Sequence, residues 1–196
     1  MITVIDYGAG NVKSIANILE NLGAEYKISS DKEEVLSADA LIFPGQGHFG
    51  QAVKNLETSG LKNAVIEAAT VKKIKFLGIC LGLQILFEES EEAPEAKGLS
   101  IFKGTVKKFE CGKIPQIGWN NIKTTSNNSF LTDDYFYFVN SYYVEPQDKS
   151  IISSVCTYGN VDFCASVEKD NITAVQFHPE KSSDCGKSFF QKWLKN

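Results

Sequence analysis

A three-layer α/β fold is what this sequence predicts: a mostly parallel sheet between helices, with antiparallel strands added in the C-terminal half. Two observations carry it. Short apolar runs alternate with amphipathic stretches from residue 2 to about residue 89, the β-α-β-α-β-α-β order that builds a parallel sheet. From about 99 to 176, strand-like pieces follow one another without intervening helical patterns, as antiparallel or mixed pairing requires.

The elements follow in order. Ile2–Ile5 is a short apolar strand. Tyr7-Gly-Ala-Gly-Asn11 is a turn in which Asn11 can cap a helix whose apolar face is Val12, Ile15, Leu19 and Leu22, with Gly23 ending it. A second strand covers Glu25–Ser29, a weak helix lies near Lys32–Ser37, and a third strand, Ala40–Phe43, closes at Pro44-Gly-Gln-Gly47. Helical stretches at about 48–57 and 60–71 lead to an apolar run, Ile74–Ile79, and then to a helix expected over about 81–89. The later strands are expected at 100–109, 117–123, 135–139, 142–145, 151–157, 161–168 and 172–177. A last helix, about 183–194, would bury Phe189, Phe190, Trp193 and Leu194. The 196 residues suit one domain, 1–196, with a sizeable core.

Composition excludes several classes. The net charge of −4 gives no basic nucleic-acid footprint, and all 20 basic residues are Lys, so no Arg clamp on phosphate or carboxylate exists. The five Cys are an odd number without C-x-x-C spacing, which fits free thiols in a reducing cytoplasm. No basic, apolar leader opens the chain, and the longest apolar stretch, Phe76–Phe87, is too short to span a bilayer.

In parallel sheets, active sites gather at the C-terminal strand ends. Three turns qualify: those after Ile5, after Phe43 and at Cys80. Gly78-Ile-Cys-Leu-Gly82 reads as a strand turning sharply into a helix with a nucleophile at its tip, the flanking glycines making room for the turn. Taken alone, the same stretch equally describes a buried core thiol. Of the two histidines, His48 opens a helix and is expected to have no catalytic role. His178 ends an apolar run and precedes Pro179-Glu180. A lone strand-end His is more often structural. A carboxylate two residues on, however, supplies what a Cys–His pair needs, an acid to orient the imidazole. The Pro44–Gly47 turn can present backbone N–H groups of Gln46 and Gly47 to a developing oxyanion, with the Leu81 N–H as their counterpart. Such a donor is worth roughly 100- to 1,000-fold in rate.

Together the Gly78–Gly82 elbow and the Gln176-Phe-His-Pro-Glu180 turn, 98 residues apart from Cys80 to His178, resemble those of class I, triad-type glutamine amidotransferases. Tyr7–Asn11 with Ser14, Pro44–Gly47, Gly118-Trp-Asn120 and His178–Ser182 narrow the resemblance to the glutaminase subunits of imidazole glycerol phosphate synthase, in histidine biosynthesis. The resemblance implies a flavodoxin-like or Rossmann-like sheet and no metal or organic cofactor. It implies Cys80, His178 and Glu180 as a catalytic triad acting on L-glutamine through a thioester. It further implies glutamine contacts at Gly45, Gly47, Gln84, Glu92, Ser141 and Tyr142, and a heterodimer with a (β/α)₈-barrel cyclase that receives the ammonia. Asn11, Ser14, Trp119, Tyr137 and Lys181 match the partner-facing set. Gln116 and Asn140 stand where the family usually has partner-side histidines. Neither nucleic acid nor membrane is expected as a partner. A related glutaminase subunit for surface-sugar amidation, a stand-alone Cys hydrolase and a non-catalytic binding subunit are the alternatives.

Overall fold

The computed structural model describes residues 1–196. Its twelve strands are β1 (Ile2–Ile5), β2 (Tyr26–Ser29), β3 (Ala40–Phe43), β4 (Lys75–Ile79), β5 (Phe87–Ser90), β6 (Phe102–Lys108), β7 (Gln116–Thr124), β8 (Tyr135–Asn140), β9 (Tyr142–Pro146), β10 (Ile152–Tyr158), β11 (Val161–Lys169) and β12 (Ile172–Val175). The helices are α1 (Val12–Asn21), α2 (Lys32–Leu36), α3 (Phe49–Ser59), α4 (Leu61–Thr70), α5 (Leu81–Gln84) and α6 (Ser183–Lys195). The main path of the sheet runs β2-β1-β3-β4-β12-β11-β10-β7-β8. From β2 to β12 every pairing is parallel; from β12 to β8 every pairing is antiparallel. A side branch leaves β11 through β9 to β6 and β5.

Side-chain alternation divides the core. Ile5, Leu41, Phe43 and Phe76 face α3 and α4, which bury Ala52, Val53, Leu56, Ala64, Val65 and Ala68 against them. Val4, Ile42, Leu77, Ile79 and Val175 face the other way, onto Ile15 and Leu19 of α1 and Phe189, Phe190 and Trp193 of α6. Strands buried on both faces explain why the parallel half reads as unbroken apolar runs. Asn11 caps α1, its Oδ1 accepting from the Ser14 N–H at 3.2 Å. Leu194 is only half-buried.

The helix expected over 81–89 is corrected. It ends at Gln84, and Phe87–Ser90 form β5, paired in parallel with β6. The physical reason is local: the N–H groups of Leu99, Ile101 and Phe102 bond to the Ile85 and Leu86 carbonyls, taking the acceptors a longer helix would use.

Candidate active site

The strand order brings the two signature turns together. β4 and β12 are parallel neighbours, so Cys80 and Gln176–His178 leave the sheet side by side, and the Cys80 N–H donates to the Val175 carbonyl at 2.7 Å. Cys80 has φ 53° and ψ −102°, a conformation costly for any residue with a Cβ. The turn is tolerated because its surroundings carry no side chains. A Cβ on Gly82 would lie 2.2 Å from the Phe43 carbonyl oxygen, and one on Gly45 would lie 2.3–2.5 Å from the Ile79, Leu81 and Gly82 backbone. Gly82→Ala is therefore expected to destabilise the fold by about 2–3 kcal/mol in a denaturant titration, because backbone and not a flexible side chain must yield.

Cys80 opens on a cavity of about 440 Å³ lined by Gln46, Gly47, Leu81, Gln84, Glu92, Pro115, Val139, Asn140, Ser141, Tyr142 and His178. Every residue expected to contact glutamine lines it except Gly45, which packs beneath, against the elbow backbone. The N–H groups of Gln46 and Gly47 donate to no acceptor in the chain, so both are free at the rim. Tyr7 steadies this turn through its hydroxyl, which donates to the Pro44 carbonyl at 3.1 Å. The Glu92 carboxylate is held by the N–H of Phe49, at the start of α3, at 2.6 Å. His48 caps that helix, accepting from the Gly50 N–H at 3.1 Å.

His178 Nδ1 and Glu180 Oε1 are 2.7 Å apart, and both side chains are 2 % exposed. With Nδ1 bonded to the carboxylate, Nε2 is the nitrogen open to Cys80. Burial by itself lowers the His178 pKa. The charges of Cys80 and Glu180, and hydrogen bonds to them, outweigh burial and push it up to about 10. The arrangement favours an imidazolium beside the Cys80 sulfur. Strand β8 holds the turn in place: the Tyr137 carbonyl accepts from the His178 N–H at 2.8 Å, and the Tyr137 N–H donates to Ser182 Oγ, which donates in turn to the His178 carbonyl.

The partner-face set divides. Trp119 is 50 % exposed and stacks edge-on against Tyr137 at 6.0 Å; Asn11, Ser14 and Lys181 are half-buried. Gln116 and Asn140, expected beside them, sit opposite each other in the β7–β8 pair at 2 % and 5 % exposure, and Asn140 lines the cavity. β7 inverts the usual pattern, turning Ile117 and Trp119 outward and Gln116 inward. Sequence reading did not single out Pro115 or Val139 as cavity residues, nor the side chain of Gln176. Each lay in a stretch the family pattern marks, Pro115 and Val139 beside the replaced histidine positions and Gln176 within the His178 turn.

A family model described as "Glutamine amidotransferase class-I" matches residues 3–195. The chain belongs to the class-I glutamine amidotransferase family. Its relatives in that family include "Imidazole glycerol phosphate synthase subunit HisH 1" of Methanococcus maripaludis, 42 % identical over 99 % of this chain and 98 % of that one. The HisH subunit of Trichodesmium erythraeum is 46 % identical over 94 % and 89 %. The chloroplastic imidazole glycerol phosphate synthase hisHF of Arabidopsis thaliana is 42 % identical over 99 % of this chain but 34 % of its own length. Among solved structures, a glutamine amidotransferase superposes with a TM-score of 0.81 at 19 % identity, covering 100 % of this chain and 98 % of that one. That match supports the shared three-layer fold, parallel in its N-terminal half and antiparallel beyond.

Proposed function

We propose that the chain is the glutaminase subunit of an imidazole glycerol phosphate synthase, working in histidine biosynthesis in the cytoplasm as one glutaminase domain. The observation that carries this reading is the Cys80–His178–Glu180 relay at the wall of a cavity sized for an amino acid, in a family member whose full-length relatives are HisH subunits. Cys80 attacks the side-chain amide carbon of L-glutamine. The oxyanion gathers on the N–H groups of Gln46, Gly47 and Leu81, and His178 gives its proton to the departing ammonia. His178 then draws a proton from water, which splits the thioester to glutamate, while Glu180 orients the ring throughout. Gln84 and Glu92 hold the α-amino end, beside the Ser141-Tyr142 backbone.

The ammonia passes to a (β/α)₈-barrel cyclase bound over the exposed β7–β8 face. Ile117, Trp119 and Tyr135 present 50–61 % of their surface there, and Ile117 pairs with Val139 of the cavity lining. The Arabidopsis relative supports such a pairing, since about two-thirds of its chain lies beyond the matched part. No helix here is long and apolar enough to cross a membrane. The test is glutamate release by the chain alone and with the cyclase and its nucleotide: stimulation by that pair supports the reading, and indifference to it rejects it. Trp119→Ala is expected to weaken cyclase binding roughly 30-fold or more by calorimetric titration, as removal of a central aromatic anchor does.

A further inference from the structure

Gln176 is fully buried at the end of β12, its backbone N–H bonded to the Ala165 carbonyl at 2.8 Å, and the mechanism above makes no use of its side chain. That side chain bridges two residues of the site. Gln84 Nε2 donates to the Tyr142 carbonyl at 3.2 Å and to Gln176 Oε1 at 3.1 Å, and Gln176 Nε2 donates to Cys80 Sγ at 3.5 Å.

The direction of this chain is fixed by chemistry at its far end. The Tyr142 carbonyl can only accept, so the end of Gln84 that meets it is the NH₂. The same NH₂ meets Gln176, which must therefore present its oxygen. The other end of Gln176, facing sulfur, is then its NH₂. Both carboxamides are held in one sense by a single backbone carbonyl.

Cys80 is 7 % exposed, so water does little to stabilise charge on its sulfur. The one backbone acceptor near Sγ, the Val139 carbonyl at 3.9 Å, suits the neutral thiol. An N–H aimed at sulfur suits the thiolate, and a hydrogen bond to a charged group is the stronger kind.

We propose that Gln176 is a further catalytic residue: its Nε2–H donates to the Cys80 thiolate, and its Oε1, held by Gln84, ties the nucleophile's donor to the residue that receives the substrate's α-amino end. The first half stands on the geometry alone; the second rests on the glutaminase reading. Glutamine binding at Gln84 thereby fixes the amide that stabilises the attacking sulfur. A substrate lacking the α-amino group leaves that amide looser and Cys80 less reactive.

The experiment compares the full chain with Gln176→Met, which keeps length and volume without a donor, and Gln176→Glu, which puts a carboxylate against sulfur. Iodoacetamide labelling of the Cys80 peptide, read by mass spectrometry across pH 5–10, reports thiolate without needing glutamine. The half-labelling pH is expected to rise by about one unit in Gln176→Met and further in Gln176→Glu. With the cyclase present, kcat should fall roughly 10- to 30-fold and KM should change less. If either variant fails to fold by circular dichroism, Gln176→Asn, one methylene shorter, should fold and shift labelling in the same direction. Unchanged labelling profiles in folded variants overturn the proposal, even if activity drops, because that would mark a purely structural amide. A shifted profile in a chain that releases no glutamate with its cyclase would uphold the thiolate donor and reject the glutaminase reading.

Discussion

Cys80→Ala is expected to abolish glutamate release, by at least about 10⁴-fold, with the folded state intact. The effect is that large because a thioester route has no substitute nucleophile at the elbow: no other cysteine and no lysine lines the cavity, and its one serine, Ser141, sits in the bend between β8 and β9. The fold should survive because the elbow is built from backbone, with Gly45 and Gly82 pressed against it, and not from the thiol. The strain at φ 53° adds a second expectation. Alanine inherits it and glycine does not, so Cys80→Gly should be equally inactive yet more stable than Cys80→Ala by about 1 kcal/mol. Glutamate release measured enzymatically, with melting curves for both variants, checks the pair. Activity surviving in the alanine variant would remove Cys80 from the mechanism.

His178→Asn should cost roughly 10³-fold, and Glu180→Gln about 10- to 100-fold with an altered pH profile. A general base or acid of this kind supplies about 10²–10⁴-fold. The carboxylate acts only through the ring it orients. The sign of the pH effect follows from the His178 pKa of about 10. Unfolded histidine titrates near 6.5, so the imidazolium's contribution to stability is complete below about 6.5 and fades as pH rises through about 10. Acylation should likewise hold across pH 7–9 and fall off above. Glu180→Gln removes one of the charges that raise the pKa, so its alkaline limb should move to lower pH. A wild-type limb near pH 7, or an unmoved limb in the variant, would contradict the ion pair.

Much of this was legible in the sequence, for identifiable reasons. The parallel half was readable because strands buried on both faces leave apolar runs, and because Asn11 and Gly23 bracket α1. The elbow was readable because the strained turn admits only glycine beside the nucleophile: a Cβ added to Gly78 or Gly82 would lie 2.5 or 2.2 Å from a backbone oxygen. β5 was not readable: Phe87-Glu-Glu-Ser90 has no strand pattern, and only pairing with β6 makes it one. The burial of Gln116 and Asn140 was hidden because β7 turns Ile117 and Trp119 outward and Gln116 inward, against the polarity of its residues. Gln176 stood in a recognised signature. Its role depends on the rotamer of Gln84 and the carbonyl of Tyr142, which no local pattern encodes.

The position of β12 has a consequence for how activity is acquired. It is the last strand in sequence, yet it lies at the middle of the sheet, between β4 and β11. In synthesis order the elbow cysteine precedes His178 by 98 residues and Glu180 by 100. Until β12 inserts, β4 is an open edge and its cysteine has neither base nor donor. Synthesis from the N-terminus therefore holds the nucleophile unassisted until those residues are made. The late parallel insertion, closing contacts across about 96 residues, should be the slow step of folding. Catalytic competence and structural completion would then arrive as one event.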